Sequence, residues 1–330
     1  MSVRVRIIVL VAALLVQARS ARGQERATEG TSSRLESPRA LNGQLFQPSR
    51  LVTGPFTDTA FGMVTGFGTG DTDAPRYDLK GNQIGTRKYT LGAFEQGFNA
   101  DFRLTPDIAL RLDVSGLVFT GTTGRGLLVA GASASYGASL GVTAGKDIGR
   151  DRKMRLAFVF DVAEQPQFSL LVANAVRSAV FNGTFDDTGL FSTVNRVQAS
   201  PGLSFAYAPA PGFGIVAETR YLWTRRVSHD TEVTGRTAQG FSLGALAAID
   251  LEPLMRWPFG VQAGFRADVP IGSPGIANVR QASLGFYYTR RVRLALGLEA
   301  LWRHGAVRPG VEPTLNADAG IANLIFRYYW

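Results

Sequence analysis

Cysteine is absent from the 330 residues, and histidine appears only twice. The first absence excludes a disulfide scaffold and thiol chemistry. The second leaves His229 and His304, which stand far apart and offer no metal-ligand spacing. Long apolar runs are missing as well. Beyond residue 23 the best candidates are 129–134 and 243–249, and both are short and broken by Gly or Ser. A spanning helix needs about 20 apolar residues, so a helical membrane protein is excluded. Acids are scarce, 26 against 35 Lys and Arg. The arginines are scattered rather than gathered with aromatics, so the basic pI of about 10.1 does not read as nucleic-acid binding. No glycine-rich phosphate loop is present, and no cofactor or metal is expected.

What is present has to account for 45% hydrophobic residues and 38 glycines in a chain without apolar runs. Alternation does so, because a β-strand sends successive side chains to opposite faces. Residues 108–115 place Ile108, Leu110, Leu112 and Val114 on one face and Arg111, Asp113 and Ser115 on the other. Met154, Leu156, Phe158, Phe160 and Val162 alternate with Arg155 and Asp161. Phe213, Ile215, Ala217, Tyr221 and Trp223 alternate with Glu218 and Arg220. Phe259, Val261, Phe265 and Val269 alternate with Gln262, Arg266 and Asp268. Leu294, Leu296, Leu298, Ala300 and Trp302 alternate with Arg293, Glu299 and Arg303. Eleven such strands are clear, and a weak, Gly-rich one over 56–69 brings the expectation to about twelve.

The two ends of the chain add an address. Residues 1–23 carry Arg4 and Arg6, an apolar run over 7–16 and an Ala21-Arg22-Gly23 cleavage site before Gln24. This is the pattern of a secretory signal peptide. Removing its four arginines from the formal charge of +9 leaves about +5. Residues 24–55 are polar, with Gly, Ser and Pro, and are expected to form a disordered periplasmic leader. At the other end, Ala322, Leu324, Phe326, Tyr328 and Trp330 share one face, against Asn323, Ile325, Arg327 and Tyr329. This ending resembles the C-terminal recognition strand of bacterial outer-membrane β-barrels. The resemblance implies that Phe326, Tyr328 and Trp330 act as an assembly signal read by the barrel-assembly machinery. The terminal strand and the alternation together are distantly similar to the group of long-chain fatty-acid and aromatic-degradation outer-membrane channels.

Loop lengths agree. Counting back from Trp330, every second connection is expected to be short and periplasmic: 289–291, 251–258, 209–212, 145–153 and 105–107. The outer set is 303–313, 270–280, 225–238, 165–196, 119–126 and 70–88. Tyr207, Tyr221, Trp223, Tyr288, Trp302, Tyr328 and Trp330 fall near strand ends, where aromatic rings meet lipid headgroups. The fold expected is therefore all-β: an antiparallel, up-and-down transmembrane barrel over 56–330 in the outer membrane of a Gram-negative cell. One long outer loop adds a short helix. Phe168, Leu171, Val172, Ala175, Val176, Ala179 and Val180 make a helical stripe over 168–181, although Phe168, Leu170 and Val172 also alternate as a strand would.

The inward set is charged: Arg103, Arg111, Asp113, Arg155, Asp161, Glu218, Arg220, Arg266, Asp268, Arg293, Glu299 and Arg327. Read functionally, it lines a solute pathway; read structurally, it is a ladder of ion pairs in the wall. The loop helix would bring Asn174 and Arg177 to a constriction. The function expected is a channel or transporter for small solutes, with lipid around it. A non-conducting structural or surface-binding barrel is one alternative. A rim hydrolase is another, but Ser228-His229-Asp230 and Asp186-Asp187 form no recognisable catalytic motif, and no enzyme is expected.

Overall fold

In the computed structural model, described residues are 37–77, 83–123, 127, 132–149, 151–170, 191–227, 237–271, 278–306 and 316–330. The wall consists of β3 (Ala60–Tyr77), β4 (Gln83–Arg103), β5 (Ile108–Gly121), β6 (Ala132–Ile148), β7 (Met154–Glu164), β8 (Gln167–Leu170), β9 (Phe191–Ala210), β10 (Phe213–Val227), β11 (Thr237–Asp250), β12 (Phe259–Ile271), β13 (Val279–Tyr288), β14 (Leu294–Ala306) and β15 (Asn316–Tyr329). Each pairs antiparallel with its sequence neighbours, except that β7 and β8 both lie between β6 and β9, and β15 pairs with β3 to close the cylinder. β7 and β8 keep one register against both β6 and β9. They are one strand interrupted at 165–166, where Pro166 has no N–H for the ladder. The barrel thus has 12 strands.

Alternation sorts the faces. Phe158, Leu203, Leu243, Phe265, Leu284, Leu298 and Leu324 stand exposed on the outside. Polar and small residues of the same strands point inward. Closure leaves no strand edge unpaired, which a hydrocarbon environment requires. The connections sort by parity. Those at 104–107, 149–153, 211–212, 251–258 and 289–293 lie at one end of the barrel, here called the short-turn end. The opposite, long-loop end joins strands through 78–82, 122–131, 171–190, 228–236, 272–278 and 307–315, the first shorter than the expected 70–88 because β3 runs to Tyr77 and β4 starts at Gln83.

Two expectations need correction. The helix over 168–181 is not formed at its start, because Phe168 and Leu170 belong to β8. A ladder partner on each side, β6 and β9, was already in register to extend β7, and this tertiary pairing outweighs the local helical pattern at 168–170. Residues 171–181, including Asn174 and Arg177, lie outside the described residues. The helix that is described, α1 (Leu251–Met255), sits at the short-turn end.

The second correction concerns the leader. Residues 1–36, with the expected signal peptide, lie outside the described residues, but 37–59 are ordered within the barrel. β1 (Ala40–Leu41) and β2 (Gln44–Leu45) form a small hairpin. Asn42 and Gly43 turn it with φ of 46° and 80°, the left-handed pair of a type I′ turn. Leu41, Phe46, Leu51 and Val52 are buried against Ala206, Ala208, Val216, Leu246 and Leu301 of the wall. Burying four large apolar side chains is worth about 6–12 kcal/mol before entropy is counted, which is why this segment does not stay in water. The barrel wall begins at Ala60 rather than at 56.

Candidate functional site

The lumen is built where inward charges of the wall meet this N-terminal segment. The segment starts at the short-turn end, where Arg39 donates to the carbonyl of Val292 at 2.5 Å and to that of Phe46 at 2.7 Å. Its guanidinium also lies over the Tyr329 ring, 4.0 Å from the centroid. The chain then rises to mid-barrel and bends. Ser49 Oγ accepts from the amides of Leu51 and Val52 at 3.1 and 3.3 Å, the local turn that Ser favours. At the bend, Arg50 reaches Glu95 of β4, with Nη1 2.7 Å from one carboxylate oxygen. The amide of Thr53 donates to Glu218 at 2.6 Å, and Ser204 Oγ donates to the Thr53 carbonyl at 2.5 Å. The chain then descends, and Thr57 Oγ1 donates to Pro106 O at 2.6 Å before β3 begins.

Around this bend the wall charges form a belt. Arg220 pairs with both Glu218 and Asp161 and donates to Thr53 Oγ1 at 2.7 Å. Arg111 donates to Asp161 at 2.6 Å and lies 3.4 Å from Asp113. Arg155 donates to Pro55 O at 2.8 Å, Thr57 Oγ1 at 3.1 Å, Gly145 O at 3.1 Å and Asp147 at 2.8 Å. Arg266 pairs with Asp268 at 3.0 Å, and Arg327 pairs with Asp101. Glu299 accepts from the Tyr287 hydroxyl at 3.3 Å, and Gln262 donates to the same hydroxyl at 2.8 Å and to Pro48 O at 3.0 Å. Buried charges persist only when paired and hydrogen-bonded, and these arginines meet that condition through carboxylates and segment carbonyls.

Ten of the twelve charged residues expected inside therefore face the interior. Arg103 and Arg293 do not. Arg103 is exposed at the foot of β4 and donates to Thr105 O, while Arg293 lies exposed in the 289–293 turn. Parity assigned both to the inner face, but the lumen ends before the strand pattern does. Phe326, Tyr328 and Trp330 lie on the outer face of β15, where the Tyr328 and Trp330 rings meet edge-on with centroids 5.5 Å apart. Their role in assembly is a separate matter from this placement. His304 faces outward and contacts Asp318 at 2.5 Å, with both side chains exposed. His229 and Arg177 lie outside the described residues.

A cavity of about 350 Å³ remains between segment and wall, bordered by Asp58, Asn99, Asp101, Arg111, Asp113 and Arg327. Burial raises the pKa of Asp58 above the ordinary carboxylate value, although Arg39 and Arg327 pull it back. Nearer the long-loop end the inner wall turns apolar, with Leu91, Ala93, Phe119, Ala319 and Ile321 clustered together. On the β4, β5 and β15 side the lumen thus passes from a charged belt to an apolar patch, while Arg196, Arg226 and Arg303 keep charge on the inner face toward the long-loop end.

Sequence reasoning missed Arg39, Arg50, Thr53 and Thr57. Signals for them existed. Asn42-Gly43 between Leu41 and Leu45 is a strong hairpin cue, and Leu41, Leu45, Phe46, Leu51 and Val52 are more apolar residues than a solvated leader carries.

A closed antiparallel barrel, apolar outside and polar within, with loops sorted by end, is the architecture of outer-membrane β-barrels. No protein-family model matches the chain, and no curated protein matches its sequence. Among solved structures, similarity extends to an outer-membrane channel from Pseudomonas putida, with 9% identity over 86% of this chain and 100% of the other, at a TM-score of 0.46. The translocator domain of the autotransporter NalP from Neisseria meningitidis is 10% identical over 82% of this chain and 88% of that one, with a TM-score of 0.44. A FadL homologue from Pseudomonas aeruginosa is 13% identical over 93% of this chain and 99% of that one, with a TM-score of 0.41.

Proposed function

We propose that this barrel is an outer-membrane channel for small solutes, closed at rest by its own N-terminal segment. Exported through its signal peptide, it stands with the short turns in the periplasm and the long loops outside. The observation that carries the reading is the path of residues 37–58, which enter at the short-turn end and bend at mid-lumen against Glu95, Glu218 and Arg220. A barrel meant only as a wall gains its closure from the strands alone. Here a chain segment occupies the interior, anchored by apolar contacts at Leu41 and Phe46 and held at its bend by polar contacts that water can replace. A solute would descend past the apolar patch near Leu91 and Phe119 and reach the charged belt at Arg111, Asp113 and Arg327. That order suits a molecule with an apolar body and a polar group. Passage then requires the bend at 49–53 to shift.

Conductance in planar bilayers tests this. The full barrel should conduct little, and a variant lacking 37–55 should give larger and steadier currents. Because the chain has no cysteine, Thr53→Cys with Ser204→Cys adds a single disulfide and should hold the channel shut until it is reduced. A deletion variant that conducts no more than the full chain would remove the reading. The second reading is a non-conducting barrel that uses its exterior or loops for binding. It is favoured by the pairing of Arg111, Arg220, Arg266 and Arg327 with wall carboxylates, which occupies these four cations before an anionic solute could meet them. Catalysis finds no support in the described geometry, where His304 and Asp318 lie exposed on the outer face.

A further inference from the structure

The short-turn end carries a surface that the channel reading does not use. α1 begins with a cap, Asp250 accepting from the Glu252 amide at 3.1 Å, and ends at Arg256 with φ of 62°. Glycine is the usual residue at such a left-handed helix end, because any other side chain is strained there. Arg256 adopts this conformation without the freedom of a glycine. Beside it, Leu254, Met255 and Trp257 are all more than half exposed.

The neighbouring turn is locked onto this one. The Thr289 amide donates to Pro258 O at 2.9 Å, and Thr289 Oγ1 donates to Asp250 at 2.9 Å. The 289–293 turn, with Arg290 and Arg291 both exposed, is therefore held next to the turn that carries the exposed Arg256. None of these three guanidiniums has an ion pair or hydrogen bond among the described residues. The patch sits just beyond an outward aromatic layer. Phe259 lies 5.0 Å from Phe286 and 6.3 Å from Tyr288, ring centre to ring centre. Such a layer marks the headgroup level of the bilayer.

We infer that Arg256, Arg290 and Arg291, with Leu254, Met255 and Trp257, bind the headgroup of an anionic phospholipid in the leaflet at the short-turn end. The three apolar side chains enter the glycerol and upper acyl region, as interfacial residues do. The guanidiniums then meet the phosphate, for which their planar donor fork is suited. Glu252 is partly covered, and Asp250 is buried and engaged with Thr289, so unpaired positive charge dominates the patch.

The inference rests on the membrane reading of the barrel, so each protein is first checked for folding by its heat-dependent gel mobility. The full chain is then solubilised with equal amounts of phosphatidylglycerol and phosphatidylethanolamine, and retained lipid is measured by native mass spectrometry. The wild type should hold phosphatidylglycerol roughly tenfold more than phosphatidylethanolamine, and the combined variant Arg256→Gln, Arg290→Gln and Arg291→Gln should lose that preference. Lysine at the same three positions should restore most of it. Arg225→Gln with Arg280→Gln, at the long-loop end, should leave it unchanged. Equal retention by wild type and the glutamine variant in folded protein would overturn the inference. So would equal loss in the long-loop variant, which would indicate charge without a site. Displacement of the lipid by millimolar inorganic phosphate would show a free-phosphate site in its place.

Discussion

Arg220 lies between two carboxylates, Glu218 and Asp161, and all three are largely shielded from water. Truncation to Ala leaves Glu218 buried without a counter-charge and Asp161 with Arg111 alone. Arg220→Ala should cost about 3–5 kcal/mol, read from the urea midpoint for refolding into lipid vesicles. On the outer face, Leu298 stands mid-way between the Tyr328 and Trp302 levels and is 63% exposed. Leu298→Arg should cost about 2–4 kcal/mol by the same measurement, and Leu296→Arg less, since it lies nearer the headgroups. Ala295 gives a contrast. Its parity is inward, where a lumen would tolerate arginine, yet it is fully buried against Ala60 and Tyr329. Arg at Ala295 has no room and should cost at least as much as on the lipid face. Asp58 supplies a pH dependence. Its folded pKa is raised by burial, so its contribution to segment docking is fully present below the unfolded value and is lost as pH rises through the folded one. Release of the segment, followed by proteolysis, should increase with pH through that range, and Asp58→Asn should remove this component. An unchanged profile in Asp58→Asn would assign the dependence to another group.

Among the elements, β15 and β3 decide closure. β15 pairs with β14 on one side and β3 on the other, and the Trp330 amide donates to Thr59 O at 3.0 Å. The last residue is therefore tied to the start of the first wall strand. The weak apolar pattern of β3 has a cause in this seam. A Cβ added at Gly68 would fall 2.1 Å from Gly320 O and 2.8 Å from Ile321 Cα, so glycine is needed for the two backbones to approach. Gly68→Val should lower the yield of heat-modifiable barrel, whereas Gly116→Val, with only one neighbouring atom near 4 Å, should not. Trp330→Asp places a charge at the exposed end of the seam, and outer-membrane levels of that variant should fall. Normal levels would separate the terminal aromatic from assembly.

For the whole molecule, the barrel and its segment act as one folded unit, because the wall arginines Arg155 and Arg266 are satisfied by the carbonyls of Pro55 and Leu51 as well as by acids. Arg39 and Arg50 are trypsin sites in sequence and are enclosed in the fold. Neither should be cut in the unheated barrel, while both should be cut once boiling opens it. Cleavage at Arg50 without heating would mean that the segment leaves the lumen readily, and resting conductance should then be high. The two measurements bear on the same equilibrium and must agree.

Sequence alone determined the wall. Period-2 alternation, connection parity and the terminal strand specify about twelve strands, which face meets lipid, and which charges point inward, because each follows from backbone geometry repeated along the chain. Arg103 and Arg293 were misplaced because parity continues past the end of a lumen. Only tertiary structure decided what the lumen contains. The contacts of Arg50 with Glu95, Thr53 with Glu218 and Arg155 with Pro55 join residues 45 to 165 positions apart, and no local pattern encodes them. The same holds for 168–170, where two patterns competed and the ladder partners on β6 and β9 selected the strand. The local hairpin cue at Asn42-Gly43 was legible, but a hairpin of two-residue strands is unstable by itself. It forms because the barrel around it offers an apolar wall and paired charges, and that enclosure exists only once β15 has met β3.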